Sequence, residues 1–445
     1  MTTPIVLGDR HLDLTDPDVY RGGVPHATFQ RLRDEEPVAW TEEQDGSGFW
    51  SITRYADVIA LNKDFRTMSS ASGIRLEEMD DEEMDARRTM MELDPPEHTR
   101  LRRLVMGGFT RRTVMSYEQA IRLLARAVIE EAVPRGEFDF VTDVARQLPM
   151  RMLGKLLGAP EADYGFLVDR GDAMIGNTDP EFTDHVVDQV DHDDHRLMPF
   201  RSPAGVELFE YAADIARQRR EHPQDDVITQ LLAPTMDGEP LSDLEFNNFF
   251  ALLVAAGNDT TRYTMAAGLQ MLLDHPDQLD MLRERPDELM ESAVEEMLRM
   301  SSVTMHFRRT ATRDVEVHGR TIREGDKVVL WWISADHDER EFPDPFTFDI
   351  TRSPNKHLAF GRGGPHRCLG EWLARMELAV TFEELLPVLD DLVIDGPIER
   401  MRSNFISGIK HMPVSVRRSG NHLGAGRNGP NEPARSGGAG TTRTT

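Results

Sequence analysis

The chain has 445 residues and sets 78 acidic side chains against 51 basic ones, a formal charge of −27. So acidic a balance argues against general nucleic-acid binding and against docking on anionic membranes, and a single cysteine excludes an intrachain disulfide and fits a reducing compartment. The opening MTTPIVLGDRHLDL lacks the charged and apolar regions of a secretory leader, and no apolar run is long enough to span a bilayer, so a cytoplasmic protein, monomeric and without membrane contact, is expected.

Residues 1–36 are a polar lead-in, with a short helix expected over 25–33. Val38-Ala39-Trp40 and Gly48-Phe49-Trp50-Ser51-Ile52 predict two short strands around an Asp45-Gly46 turn, and 55–62 a helix. Between 67 and 92 the chain turns acidic, with Glu77, Glu78, Asp80, Asp81, Glu82, Glu83 and Asp85, the composition of a solvated loop. In Asp94-Pro95-Pro96-Glu97-His98-Thr99-Arg100-Leu101-Arg102-Arg103 two prolines close that loop and start a helix. His98 and Arg102 then share one helical face, which by itself fits an ordinary charged surface helix equally well.

From 116 to about 230 the pattern is mainly helical, over 121–125, 141–157 and 206–219. His185, His192 and His195, with carboxylates between them, form a metal-site candidate. No cysteine or second compact cluster completes it, and a solvated helix or loop is the better reading. Ser242-Asp243-Leu244-Glu245 is a capping box opening a helix to about residue 273. About 30 residues long, it would measure about 45 Å. Its 249–256 stretch is apolar on every side, as in a buried central helix. Into that run the sequence inserts Ala255-Ala256-Gly257-Asn258-Asp259-Thr260-Thr261-Arg262. A buried acid and two hydroxyls are costly unless satisfied, and small residues beside them leave room for a ligand; a kinked helix around a buried water is the alternative.

Residues 291–300 form an amphipathic helix in which Glu296 and Arg299 can pair. Strands are expected at 315–317, 321–322 and 327–332. His357-Leu358-Ala359-Phe360-Gly361-Arg362-Gly363-Gly364-Pro365-His366-Arg367-Cys368-Leu369-Gly370 is a glycine-rich loop, and Trp372, Leu373, Met376 and Val380 follow at helical spacing. The sulfur is thus placed where a loop becomes a helix, where the dipole and free N–H groups are expected to favour the thiolate. Without such neighbours a lone cysteine is a small buried hydrophobe. Residues 419–445, rich in Gly, Arg, Asn and Thr, compose a disordered tail, leaving 1–418 as one folded domain.

The cysteine loop resembles the haem-binding loop of the cytochrome P-450 family, the haem-thiolate monooxygenases, with one extra residue in the Gly363-Gly364-Pro365 run, as in members that oxidise sterols, methyl-branched lipids and terpenoids. His98/Arg102, Asp259-Thr260, Glu296/Arg299 and His366/Cys368 occur in the family's order. The resemblance implies a mainly α fold with a small β portion, and haem b (iron protoporphyrin IX) between the long central helix and the cysteine loop. Cys368 would ligate the iron, with Ala256, Phe360, Gly361 and Gly370 against the cofactor and His98, Arg102, Arg309 and His366 at its propionates. Asp259 would relay protons, Thr260 would hydrogen-bond the oxygen being activated, and Glu296 with Arg299 would support the haem from below. Ile74, Leu76, Met79, Leu252, Val303, Phe405 and Ile406 would face substrate.

The chain has no flavin or nicotinamide fingerprint, so the resemblance implies electrons from a ferredoxin and its NAD(P)H-dependent reductase. Arg103, Arg111, Arg112, Arg362, Arg367 and Arg375 could dock that partner or be scattered solvated charges. The expected reaction is O2-dependent hydroxylation of an unactivated C–H in a small hydrophobic substrate. A terpenoid, branched lipid or steroid is favoured, with a smaller aromatic or a secondary metabolite still open. The alternatives are a peroxide-using or non-redox haem-thiolate enzyme, and a haem-bearing ligand-binding protein without turnover.

Overall fold

In a computed structural model, the structure describes residues 13–43, 46–187, 195–235 and 238–417. The two expected strands pair, Val38–Thr41 antiparallel to Phe49–Ile52 with Trp40 opposite Trp50, while Asp45 of the expected turn lies outside the described residues. The pair is one edge of a five-stranded sheet. Phe49–Ile52 pairs in parallel with Lys327–Trp331, which pairs antiparallel with His306–Ala311, and that strand carries the short Met68–Ser69 at the other edge. All five residues of Lys327–Trp331 are buried, and after Lys327 the strand reads as a continuous apolar run, Val328 to Trp331, instead of an alternating one.

The rest is helical and built around Asp243–Asp274, whose 32 residues run about 48 Å at the helical rise. Its start is the predicted capping box: the Glu245 N–H donates to Ser242 Oγ at 3.2 Å and the Ser242 N–H to Glu245 Oε2 at 2.9 Å. Helices Gln147–Leu157, Tyr164–Ile175 and Pro203–Glu221 pack on it, as do Pro286–Ser301 and Glu371–Leu385. Gly268 marks the crossing with the last two. A Cβ there would stand 2.8 Å from both Met297 Sδ and Phe382 Cζ, so only glycine lets the helices approach so closely.

The acidic stretch departs from expectation. It is no plain solvated loop but contains the helix Asp81–Arg87 and a turn at Met90–Glu92, and Glu83 and Glu92 are buried. Both glutamates close capping boxes, on Asp80 and Thr89, and Glu83 also pairs with Arg87 at 3.2 Å and Arg201 at 3.0 Å. Charge counting hid a pattern that the three-residue spacing carried.

Of the histidine candidates, His192 lies outside the described residues, as does the tail beyond 418. The His185 and His195 rings lie 4.4 Å apart, and among the described residues no group of side chains is placed to hold a metal. Nor is any described helix long and apolar enough to cross a membrane.

Candidate active site

Cys368 sits just before the Glu371–Leu385 helix. Its N–H donates to the Phe360 carbonyl at 2.9 Å, and the Gly361 N–H donates to the Leu358 carbonyl at 2.7 Å, so the loop closes on itself. Asn62, on the helix Tyr55–Lys63, donates its amide to the Gly361 and Arg362 carbonyls at 3.3 Å each. A Cβ on Gly364 would stand 2.7 Å from the Asn62 carbonyl. The loop thus passes that helix at a point where only a glycine fits. The Arg375 guanidinium covers the Phe360 ring, 4.5 Å from its centroid.

The expected stabilisation of the thiolate is not met by the protein alone. Although part of Cys368 is accessible, the protein around it desolvates the sulfur and pushes the thiol up; the Gly370 N–H opposes this, Glu371 adds to it, and Arg102 and Arg375 offset it only in part. A coordinated metal ion removes such a proton outright.

Two histidines and two arginines from three segments converge here. The His98 and His366 rings lie 4.2 Å apart, and among the described residues both ring nitrogens of His98 and Nδ1 of His366 are buried with no partner. Burial and the Arg102 charge push His98 down to about 4; burial, Arg309, His98 and Arg102 push His366 down to about 2. Arg309 is buried and lowered to about 10, with one hydrogen bond at 2.7 Å to the Arg308 carbonyl and a long one at 3.4 Å to Asn62. Arg102 donates to the Arg367 carbonyl at 2.6 Å. Buried donors with unmet valences are rare in folded chains. Two arginines and two histidines so arranged fit a pair of buried carboxylates, such as those at one edge of a haem.

Across the site, the central helix carries the acid and the alcohol. Asp259 is buried; its Oδ1 accepts from Arg262 Nη2 at 2.7 Å and Asn258 Nδ2 at 3.2 Å, and its Oδ2 has no partner among the described residues. Arg262 in turn reaches both oxygens of Asp172, on Tyr164–Ile175, at 3.0 Å, and Arg146 adds a contact at 2.9 Å. Burial raises Asp259 well above the usual carboxylate range, and Asp172 alongside adds to the rise against the pull of Arg262. At Asp172 burial acts the same way but two arginines outweigh it, and its carboxyl is lowered. The two neighbouring carboxyls are thus pushed in opposite directions, Asp259 toward holding its proton and Asp172 toward releasing it. Thr260 faces the cavity, its hydroxyl held among the described residues only by a 3.4 Å contact to the Ala256 carbonyl.

Behind the cysteine loop, Glu296 and Arg299 are fully buried and paired through both oxygens, at 2.8 and 2.7 Å. Arg299 also donates to the Asp336 and Pro345 carbonyls at 2.8 Å each. Arg352, Asn355 and the Asp349 N–H donate to Glu296, so this buried charge is fully met.

A cavity of about 150 Å³ lies over the central helix at Leu252, Ala256, Asp259 and Thr260. Ile74 and Met79 form one wall, Phe405 and Ile406 another. The latter two sit on the turn between the antiparallel strands Glu399–Arg400 and Ile409–His411, which the Ser407 N–H ties to the Val303 carbonyl at 2.7 Å. Leu76 and Val303 are buried in neighbouring clusters and do not line this cavity. The sequence reading missed Phe200, Thr304 and Phe307, and with them a set of charges: Arg75, Glu77, Arg87 and Glu92. Asn62 was also missed; a polar residue at the end of an apolar helix gave no signal.

The sequence profile described as Cytochrome P450 matches residues 22–390. A steroid C26-monooxygenase of Mycobacterium tuberculosis is 36% identical over 90% of this chain and 92% of its own length. The linalool 8-monooxygenase of Pseudomonas putida is 36% identical over 90% of this chain and 98% of its own. The solved structure of a Mycobacterium marinum cytochrome P450 in complex with pseudoionone superposes with a TM-score of 0.82 at 35% identity, covering 92% of this chain and all of that one. A match spanning most of the chain, in sequence and in fold, places this protein in the cytochrome P450 family, as a haem monooxygenase.

Proposed function

We propose that this enzyme hydroxylates an unactivated C–H of a hydrophobic substrate, with Cys368 as the haem ligand and a ferredoxin as electron donor. The observation that carries the assignment of the site is the convergence of Cys368 with the two unpartnered ring nitrogens of His98 and the His366 ring beside Arg102 and Arg309. Haem on a thiolate supplies the reductive activation of O2 and the abstraction of hydrogen from carbon.

The protein does the rest. Arg102, Arg309, His98 and His366 hold the two carboxylates of the cofactor and fix its orientation. Phe405, Ile406, Leu252 and Ile74 exclude water and hold the substrate by apolar contact. Thr260 offers a hydroxyl to the site, and Asp259, whose carboxyl burial and Asp172 push toward its protonated form, stands one residue away as the proton carrier. Relatives named for a steroid, for linalool and for a methyl-branched lipid, and a neighbour solved with pseudoionone, support a terpenoid, branched lipid or steroid substrate.

Among the arginines proposed to meet the ferredoxin, Arg103, Arg111, Arg112 and Arg362 are exposed. Arg367 and Arg375 each pair with Glu371, four residues away, and Arg375 also reaches Glu295 on the neighbouring Pro286–Ser301 helix. Haem-loaded protein should give a reduced carbon monoxide adduct with the red-displaced Soret band of thiolate ligation, lost in Cys368→His. It should then form hydroxylated product only with ferredoxin, its reductase and NAD(P)H. An undisplaced band from the intact protein would overturn the ligand assignment, and product formation without the ferredoxin would overturn the electron route.

A further inference from the structure

Among the charged residues on the cavity wall, Arg75 differs from the rest. Arg87 is paired with Glu83 at 3.2 Å. Glu92 is held by the Thr89 N–H at 2.9 Å and the Thr89 hydroxyl at 2.6 Å. Glu77 lies in the field of Arg87 and Arg308. Arg75 makes no hydrogen bond and no ion pair among the described residues. Its guanidinium lies over two rings of the same wall, 4.8 Å from the Phe405 centroid and 5.6 Å from that of Phe200.

Neighbouring groups do not supply the missing anion. Glu92 lies in the field of Arg75, but burial raises its carboxyl and its oxygen is taken by the Thr89 N–H and hydroxyl. His306, also close, is buried and driven neutral by burial and by the Arg75 charge, and adds no negative charge. The two rings attract a cation weakly, yet a half-buried guanidinium with five donors and no acceptor is an incomplete arrangement. Its geometry suits one kind of guest, because a planar guanidinium over aromatic faces offers its edge for two parallel hydrogen bonds to a carboxylate.

We propose that the substrate is a hydrophobic acid, a branched lipid, terpenoid or steroid carrying a carboxylate that Arg75 binds while the apolar skeleton reaches Thr260. This rests on the monooxygenase reading above and narrows its substrate class. Arg75 is then the residue that sets which end of the guest stays away from the reaction.

The test uses haem-loaded full-length protein and two matched pairs, palmitic acid with methyl palmitate and lithocholic acid with its methyl ester. Binding is measured by calorimetry and, separately, by the low-spin to high-spin shift. At least one acid should bind about tenfold or more tightly than its ester. Arg75→Gln should abolish that preference while leaving ester binding unchanged, and Arg75→Lys should restore part of it. Equal binding of acid and ester in both pairs, no binding of either acid, or a preference that survives Arg75→Gln would overturn the proposal. A protein lacking the displaced carbon monoxide band fails the monooxygenase reading instead, and calorimetry still reports on Arg75 in that case.

Discussion

Two buried carboxyls show how position sets protonation. Asp259 shares Arg262 with Asp172, and Asp172 takes the larger share because Arg146 joins it. Replacing Asp172 by Asn leaves Asp259 as the only carboxylate on Arg262, so Asp259 should ionise at lower pH. The alkaline limb of the kcat–pH profile should then move to lower pH, with turnover at neutral pH falling about tenfold and the substrate Kd unchanged. A limb that stays in place would mean that Asp259 is not the proton carrier. Glu377, buried on the Glu371–Leu385 helix, has no charged partner among the described residues, and burial alone raises it to about 8 from 4.5. A raised carboxyl contributes stability that is complete below the unfolded value and is lost as pH climbs through the folded one. Wild type should therefore lose on the order of a few kcal/mol relative to Glu377→Gln between about pH 5 and about pH 9 in denaturant unfolding. Parallel stability curves would refute it.

At the scale of elements, the cysteine loop is held from outside by the Tyr55–Lys63 helix, through the Asn62 amide and the close passage of Gly364. Gly364→Ala should force the loop off that helix, cost about 1–3 kcal/mol and lower haem retention, seen as a reduced haem-to-protein absorbance ratio. Full retention at unchanged Tm would show that the loop can shift freely. This contact also shows what a sequence can and cannot disclose. The Asp243–Asp274 helix, its capping box, the hairpin and the Glu296/Arg299 pair follow from spacing within a single element, which a linear reading captures. Asn62 on Gly361, and Asp172 on Arg262, join residues far apart in the chain, and nothing local in either segment announces the partner. The stretch 67–92 failed for a different reason: its net charge drew attention away from two capping spacings that bury a glutamate each.

Over the whole molecule the charge of −27 repels an acidic redox protein, so productive approach needs a local reversal of sign. Of the exposed arginines near the cysteine loop, Arg111 stacks on Trp372 at 5.1 Å, beside the helix that follows Cys368, and Arg112 is its neighbour in the chain. Steering of this kind is a long-range effect that acts mainly on association rate and is screened by salt. The double variant Arg111→Glu, Arg112→Glu should raise the KM for ferredoxin about tenfold at low ionic strength. The gap should narrow as salt is added, while the carbon monoxide band and substrate affinity stay as in wild type. If ferredoxin-driven turnover and its salt dependence were unchanged, the partner would have to approach elsewhere, since a face that has changed sign by four charges cannot attract the same acidic surface equally well.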